Sequence, residues 1–333
     1  MSAGPPQNAD DDARLGATSL GTTLELPAPA DASAAAAATR RQQLAARRTV
    51  RRVGRRRRRA RVMTALAAAA AALAVVPLVA ILIFLVARGA EALSPTLVLR
   101  SPTPSGEGGG LANGLAGSAL ILGIAAALGL PLGLGTGLYL HEERGSRTAQ
   151  AVRYLCDVLV GVPSIVFGIV AWGLLVRPIG HFSAWAGGAA LAAMLVPVVA
   201  RTTDELLALV PAPLTEAALA LGFPRWRTAL GVSLRAALPG VVTGALVAVA
   251  RIAGETAPLL FTALGNQYWS LHPGRPIAAL PLQIYVAALG ASEAARRQAY
   301  AGALLLIAAI ALFGVAARRA TRRTRRAADW GGA

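Results

Sequence analysis

Arg251–Gln267 reads R-I-A-G-E-T-A-P-L-L-F-T-A-L-G-N-Q. It sets an arginine and a glutamate four residues apart inside an otherwise apolar run, Val241–Ala263, long enough to cross a bilayer. Ionisable side chains at membrane depth are costly and mark function by default. On one helix the i, i+4 spacing places Arg251 and Glu255 on a common face, where each partly neutralises the other. A structural ion pair that holds helices together is the competing explanation. Pro258 has no N–H for the carbonyl of Gly254, so a kink is expected there.

Working outward, the whole chain has the composition of a polytopic membrane protein. Of its 333 residues, 55% are hydrophobic and only 15% charged, too apolar for a soluble domain. The net charge of +17 is carried by arginine, with no lysine anywhere. These arginines cluster beside hydrophobic segments, which is the pattern of membrane orientation rather than of nucleic-acid binding. Cys156 is alone, so a disulfide framework is excluded and a buried thiol is expected. His141, His181 and His272 are too scattered for a metal site.

Six apolar segments follow one another: Met63–Ala87, Leu115–Leu140 with Pro131 and a string of glycines, Tyr154–Val176, Ala184–Ala200, Leu238–Ala263 and Ala299–Ala317. Lipid cannot satisfy backbone polar groups, so continuous runs of this length are read as transmembrane helices. The fold class is therefore all-α, a polytopic membrane protein with six transmembrane helices over residues 63–317. Residues 1–39 are rich in Ala, Asp, Pro and Ser and have few large apolar residues. With the arginine-dense stretch 40–61 that follows, they are expected to form a disordered cytoplasmic extension over residues 1–62. Arginines are concentrated in that extension, in loops 141–153 and 201–237, and in the basic tail 318–333, which puts both termini in the cytoplasm. The outer segment 264–298 contains Pro276–Leu289, apolar but too short to span, and is read as an interfacial or re-entrant helix. The outer loop 88–114, rich in Ser, Pro and Gly, is expected to be irregular.

Several smaller signals refine the picture. Arg201, Asp204 and Glu205 lie at the inner end of the fourth segment as candidate gate ion pairs, or as ordinary interfacial charges. Asp157 is a weaker candidate that a neighbour can reach. Pro163 with Ser164 is suited to a local break in helix bonding. Trp172, Trp185, Tyr268 and Trp269 fall near outer boundaries as a belt.

The inner loop 215–235 carries T-E-A-A-L-A-L-G-F-P-R-W-R-T-A-L-G-V-S-L-R. Gly222 suits a sharp turn between two short helices, and Thr215 is placed to cap the first. Glu216, Ala217 and Ala218, then three residues, Gly222, nine residues and the aliphatic Val232 resemble the coupling loop of ABC-importer permeases. That family has Pro in many members where Arg235 stands here. The segment Gly254–Ala263 with the following N-Q-Y-W-S resembles the PstA-type permease of the phosphate-specific importer, as do Asp157–Gly168 and Arg201–Glu205.

The resemblance implies a MetI-like core over about 111–317 and docking of Glu216, Ala217, Ala218 and Gly222 on a cytoplasmic ATPase. It implies as partners a second, PstC-type permease, a PstB-type ATPase dimer and an extracytoplasmic PstS-type phosphate-binding protein. Inorganic phosphate would be the cargo, and the bacterial cytoplasmic membrane the location. ATP and Mg are expected on the partner ATPase, with no cofactor on this chain and no enzymatic activity of its own. Phosphate loops of the G-x-x-x-x-G-K-[ST] type require a lysine that this chain lacks. Arg251 is expected to line the phosphate path about 20 Å along the fifth helix, with Glu255 tuning it. Other oxyanions (sulfate, molybdate, phosphonate) are the near alternative. A membrane-anchored polybasic lipid- or nucleic-acid-binding protein, acting through residues 40–61, is the distant one. An intramembrane enzyme would need a nucleophile–base pair or metal ligands at depth, and neither is present in the sequence.

Overall fold

The structure, a computed structural model, describes residues 29–103 and 109–330. Among these residues the secondary structure is helical apart from one isolated parallel bridge, Leu264 to Ile277. The chain divides into two compact units, Met1–Val76 and Pro77–Ala333. Helix α1 runs Pro29–Gly89, followed by α2 (Pro95–Leu99), α3 (Ala112–Glu142) and α4 (Arg147–Gly161). Then come α5 (Ser164–Ala171), a π-helical stretch Trp172–Val176, α6 (Arg177–Ile179) and α7 (Ala184–Leu207). Beyond α7 lie α8 (Ala212–Ala220), α9 (Arg225–Thr228), a second π-helical stretch Ala229–Ser233 and α10 (Leu234–Ile252). The chain closes with α11 (Ala257–Thr262), α12 (Leu280–Ala288) and α13 (Glu293–Trp330).

Five continuous helical stretches are long and apolar enough to cross a membrane: Arg56–Ala92, Ala112–Glu142, Ala184–Leu207, Arg225–Ile252 and Glu293–Ala316. The third expected span is different. It is a broken pair, Arg147–Gly161 and Ser164–Ile179, bent by 104°. Steric contact with a proline ring drives the preceding residue out of the helical region, and Val162 is indeed extended at ψ 133°. Pro163 then opens α5.

The fifth expected span, Leu238–Ala263, also needs correction. Its helix begins earlier, at Arg225, and stops at Ile252. The chain resumes helix only at Ala257, with Pro258 in the first turn, where a missing N–H removes no helical bond. Pro258 therefore starts a second short helix instead of kinking one long helix.

Three further expectations change or narrow. Residues 29–62, read as disordered, are helical as the first part of α1. Alanine and arginine are strong helix formers, and low hydrophobicity does not oppose helix. Residues 1–28 of the expected extension lie outside the described residues. The segment Pro276–Leu289, read as interfacial or re-entrant, is helical over Leu280–Ala288, and Ile277, Ala278, Ala279, Leu280 and Leu282 are buried in protein, against the interfacial alternative. The outer loop 88–114 is partly ordered as a 3-10 turn, Ala90–Ala92, and α2; residues 104–108 lie outside the described residues.

The core is centred on the α3–α7 seam, where Ile121, Ile124, Leu191, Leu195 and Val199 are buried with Ile252, Leu259 and Ile277. Gly129, Gly133 and Gly137 recur every four residues along α3, facing Leu195, Val199 and the Ala200–Thr203 turn of α7. Small residues at this spacing let two membrane helices approach backbone to backbone. A polar lock closes one end of this core. Buried Asn113, at the start of α3, donates to the carbonyl of Asn266 (2.8 Å) and accepts from Gln283 Nε2 (2.8 Å). Ser118 Oγ accepts from the Leu280 amide at 2.8 Å.

Candidate functional site

Both helix breaks open on one cavity of about 310 Å³. The α4–α5 break contributes Gly161, Val162, Pro163 and Ser164, and the α10–α11 break contributes Arg251, Ile252 and Glu255. The third wall is α7, through Met194, Leu195 and Val198. These residues stand near the middle of α7, so the cavity lies at mid-depth. Non-helical backbone at such depth is tolerated only where protein buries it or where it lines a water-filled cavity. A water occupies about 30 Å³ of liquid, so the space accommodates a small hydrated anion.

The structure places Arg251 and Glu255 in the same cavity but does not pair them. Arg251 is the penultimate residue of α10, and Glu255 falls in the break beyond it. The i, i+4 geometry expected from the sequence requires one continuous helix, and α10 stops at Ile252, before Glu255. Among the described residues neither side chain takes part in an ion pair. The arginine is exposed to the cavity side and the glutamate half-buried. Ser164, noted in the sequence only as part of a break, brings a hydroxyl to the same space. The first turn of α5 also lines it, and the unbonded N–H groups and dipole of a helix N-terminus favour an anion.

A second cluster surrounds the end of α7 that leads into residues 208–237. Arg201 Nη1 donates to Asp157 Oδ1 (2.8 Å) and its Nε to Glu205 Oε1 (2.9 Å). Asp204, only 13% exposed, accepts from Arg153 Nη2 at 2.9 Å and from Arg144 Nη2 at 3.2 Å. The three residues singled out on α7 are therefore all ion-paired, and three of the four pairs reach across to α4 and the α3–α4 turn. Arg144 and Arg153 had counted in the sequence only toward membrane orientation. Their pairing with Asp204 leaves no local signal, because Arg153 and Asp204 are 51 residues apart. Cys156, beside Asp157, is a buried free thiol.

The loop with the E-A-A pattern forms α8. Glu216 and Ala217 are exposed, whereas Ala218 is buried against the protein. Gly222 has φ +84°, the left-handed turn expected of it. Thr215 does not cap this helix: α8 begins at Ala212 after Pro211, and Thr215 Oγ1 donates to the carbonyl of Ala212 at 2.8 Å. Leu214, Leu219, Leu221, Phe223 and Trp226 are exposed around α8 and the turn after it. Contiguous exposed apolar residues on a short helix and the turn that follows it mark an interaction surface. Among the described residues no group of His, Cys, Asp and Glu is arranged to hold a metal ion.

Residues 129–326 match the family described as binding-protein-dependent transport system inner membrane component. The chain is 45% identical over 243 residues to the phosphate transport system permease protein PstA of Yersinia pestis, covering 72% of this chain and 82% of the relative. It is 48% identical over 227 residues to that of Haemophilus influenzae, covering 68% and 80%. It is 37% identical over 262 residues to PstA 1 of Mycobacterium tuberculosis, covering 76% and 85%. Among solved structures, a chain of the MetNI methionine ABC transporter in an inward facing conformation superposes with TM-score 0.54 at 22% identity. That match covers 64% of this chain and 95% of the other, a likeness of fold.

Proposed function

The chain belongs to the family of binding-protein-dependent transport system inner membrane components, and from that premise we propose that it is the transmembrane permease subunit of an ATP-driven phosphate importer. It is a multi-pass inner-membrane protein and a transport subunit. The observation that carries the site assignment is the cavity where two helix breaks meet at mid-depth around an unpaired arginine. Transporters place substrate at such discontinuities, because broken helices present both dipole ends and free backbone groups to a cavity.

Phosphate entering a low-dielectric path loses much of its hydration. A guanidinium offsets part of that loss, and its planar fork of donors matches the tetrahedral oxyanion. Arg251 supplies that group here, and Ser164 with the first turn of α5 adds neutral donors. Since conduction requires that the anion also leave, a single exposed arginine suits the task better than a cage of cations.

The second half of the function is coupling. Both termini and the α8 loop lie in the cytoplasm. Glu216, Ala217 and Gly222 with the exposed apolar residues around them dock on the ATPase subunits, where ATP and Mg bind. Ala218 supports the loop from within. Because the turn at Gly222 joins α8 to the continuous helical stretch Arg225–Ile252, a displacement at the ATPase is passed to that stretch and carried along it to the cavity. The Arg201–Asp157, Arg201–Glu205 and Asp204–Arg153 pairs gate the cytoplasmic side. A PstC-type permease provides the other wall of the path, and a PstS-type binding protein delivers the anion from outside.

The test is Arg251→Gln in the assembled complex, with uptake of radiolabelled phosphate as the readout. Uptake is expected to fall by about tenfold or more, the worth of a charge-assisted hydrogen bond, while the subunits still co-purify. Normal uptake by the assembled variant would remove Arg251 from the path.

A further inference from the structure

We propose that Glu255 is a specificity-determining residue that selects a protonated tetrahedral oxyanion, one that still carries an O–H, over oxyanions that carry none. This rests on the assignment of the cavity to the anion path. The geometry is a cavity in which an unpaired arginine, an unpaired glutamate and a serine line one space. A glutamate held by Arg251 would be neutralised and silent. Here the α10–α11 break separates the two, and among the described residues no salt bridge forms between them.

The donor and acceptor inventory of this set is unusual for an anion site. Arginine offers only donors, and an ionised carboxylate offers only acceptors. A fully deprotonated oxyanion such as sulfate or molybdate satisfies Arg251, yet it presents lone pairs and negative charge to Glu255. Inorganic phosphate at neutral pH keeps at least one P–OH. It accepts from Arg251 through its oxyanion face and donates that proton to the Glu255 carboxylate. Ser164, whose hydroxyl both donates and accepts, fits either anion and does not discriminate. Sites built to bond a substrate hydroxyl reject the analogue that lacks it far more strongly than apolar pockets discriminate by size. A lone negative group in an anion path otherwise only repels the cargo. Its presence beside Arg251 is thus explained by the proton on the cargo.

Because the extracytoplasmic binding protein filters anions before they reach this chain, uptake alone does not read the site. The purified complex of permeases and ATPase, without the binding protein, is titrated with phosphate and with sulfate at matched ionic strength, and thermal stabilisation is followed. The same titrations of Arg251→Gln define the part of each shift that belongs to the cavity, since anions also bind the ATPase. In the wild type that part is expected for phosphate at concentrations about tenfold or more below those needed for sulfate. Glu255→Gln should bring the two midpoints together, and Glu255→Asp should restore a preference for phosphate. A wild-type phosphate preference retained by Glu255→Gln overturns the proposal. Loss of stabilisation by both anions in Glu255→Gln also overturns it, because the residue would then act structurally. If instead Arg251→Gln leaves every shift unchanged, the path assignment itself fails, a result distinct from the first two.

Discussion

Replacing Gly137 by alanine tests the packing on which the cavity depends. A β-carbon at Gly137 would lie 2.5 Å from the carbonyl oxygen of Ala200 and 2.5 Å from Thr203 Cβ. The oxygen is backbone in the middle of α7 and has no rotamer through which to yield. Ordinary contact needs about 3.5 Å, so α3 and α7 must separate locally by about 1 Å. Overpacking of this kind costs about 2 kcal/mol, or roughly a 30-fold shift in the folding equilibrium. Gly135 provides the matched control, because a β-carbon there meets nothing within 4 Å. Gly135→Ala keeps the helix and adds the better propensity of alanine, worth up to about 1 kcal/mol. Equilibrium unfolding of the solubilised protein by SDS titration measures both variants. The expected order is Gly135→Ala at or above wild type and Gly137→Ala clearly below. Equal stability of the two variants would refute the claim that backbone approach along the glycine stripe sets the α3–α7 distance.

Asp204→Asn removes the charge that holds both Arg144 and Arg153 to the end of α7. With those arginines partly in solvent, the expected loss is about 1 kcal/mol, seen as a lower thermal midpoint. Molar salt should lower the wild-type midpoint toward that of the variant and move the variant less; an unchanged midpoint would make these pairs ornamental. Gly222→Ala forces a left-handed φ on a residue with a β-carbon, at about 1–2 kcal/mol. Retention of the ATPase by the purified permease should fall, and Gly222→Asn should retain more of it, since asparagine tolerates that conformation.

Much of the architecture was visible in the chain because a bilayer leaves so few options. Apolar runs of spanning length had to be helices, and the positions of Ala112–Glu142, Ala184–Leu207 and Glu293–Ala316 follow the hydropathy of their segments. Pro163 with Ser164 was legible as a break because the proline constraint is local. The second break was not, because a hydropathic run such as Leu238–Ala263 is equally apolar whether its helix continues or stops. Only the protein around it decides, by burying Pro258, Leu259 and Thr262 and so making the interruption tolerable. That difference moved Glu255 off the helix that carries Arg251 and turned an expected pair into two free groups. The ionic cluster around Asp204 was half legible. Arg201 and Glu205 are one helical turn apart and could be read directly, whereas Arg144 and Arg153 reach Asp204 only after α4 folds back along α7. The N-terminal arginine-rich stretch was misjudged for the opposite reason: absence of a core argues against a globule, not against a lone helix.

The Asn113 lock has a consequence for how the protein is made. Its partners Asn266 and Gln283 lie 153 and 170 residues further along the chain. At about 5–20 residues per second, synthesis leaves that amide without them for roughly 8–34 s after it is made. During this interval α3 has a polar side chain at its leading end without its partners. A ribosome that stalls before residue 266 leaves a chain with its early spans complete and their anchor missing. In such a chain the buried amide of Asn113 has neither of the partners that hold it in the finished fold.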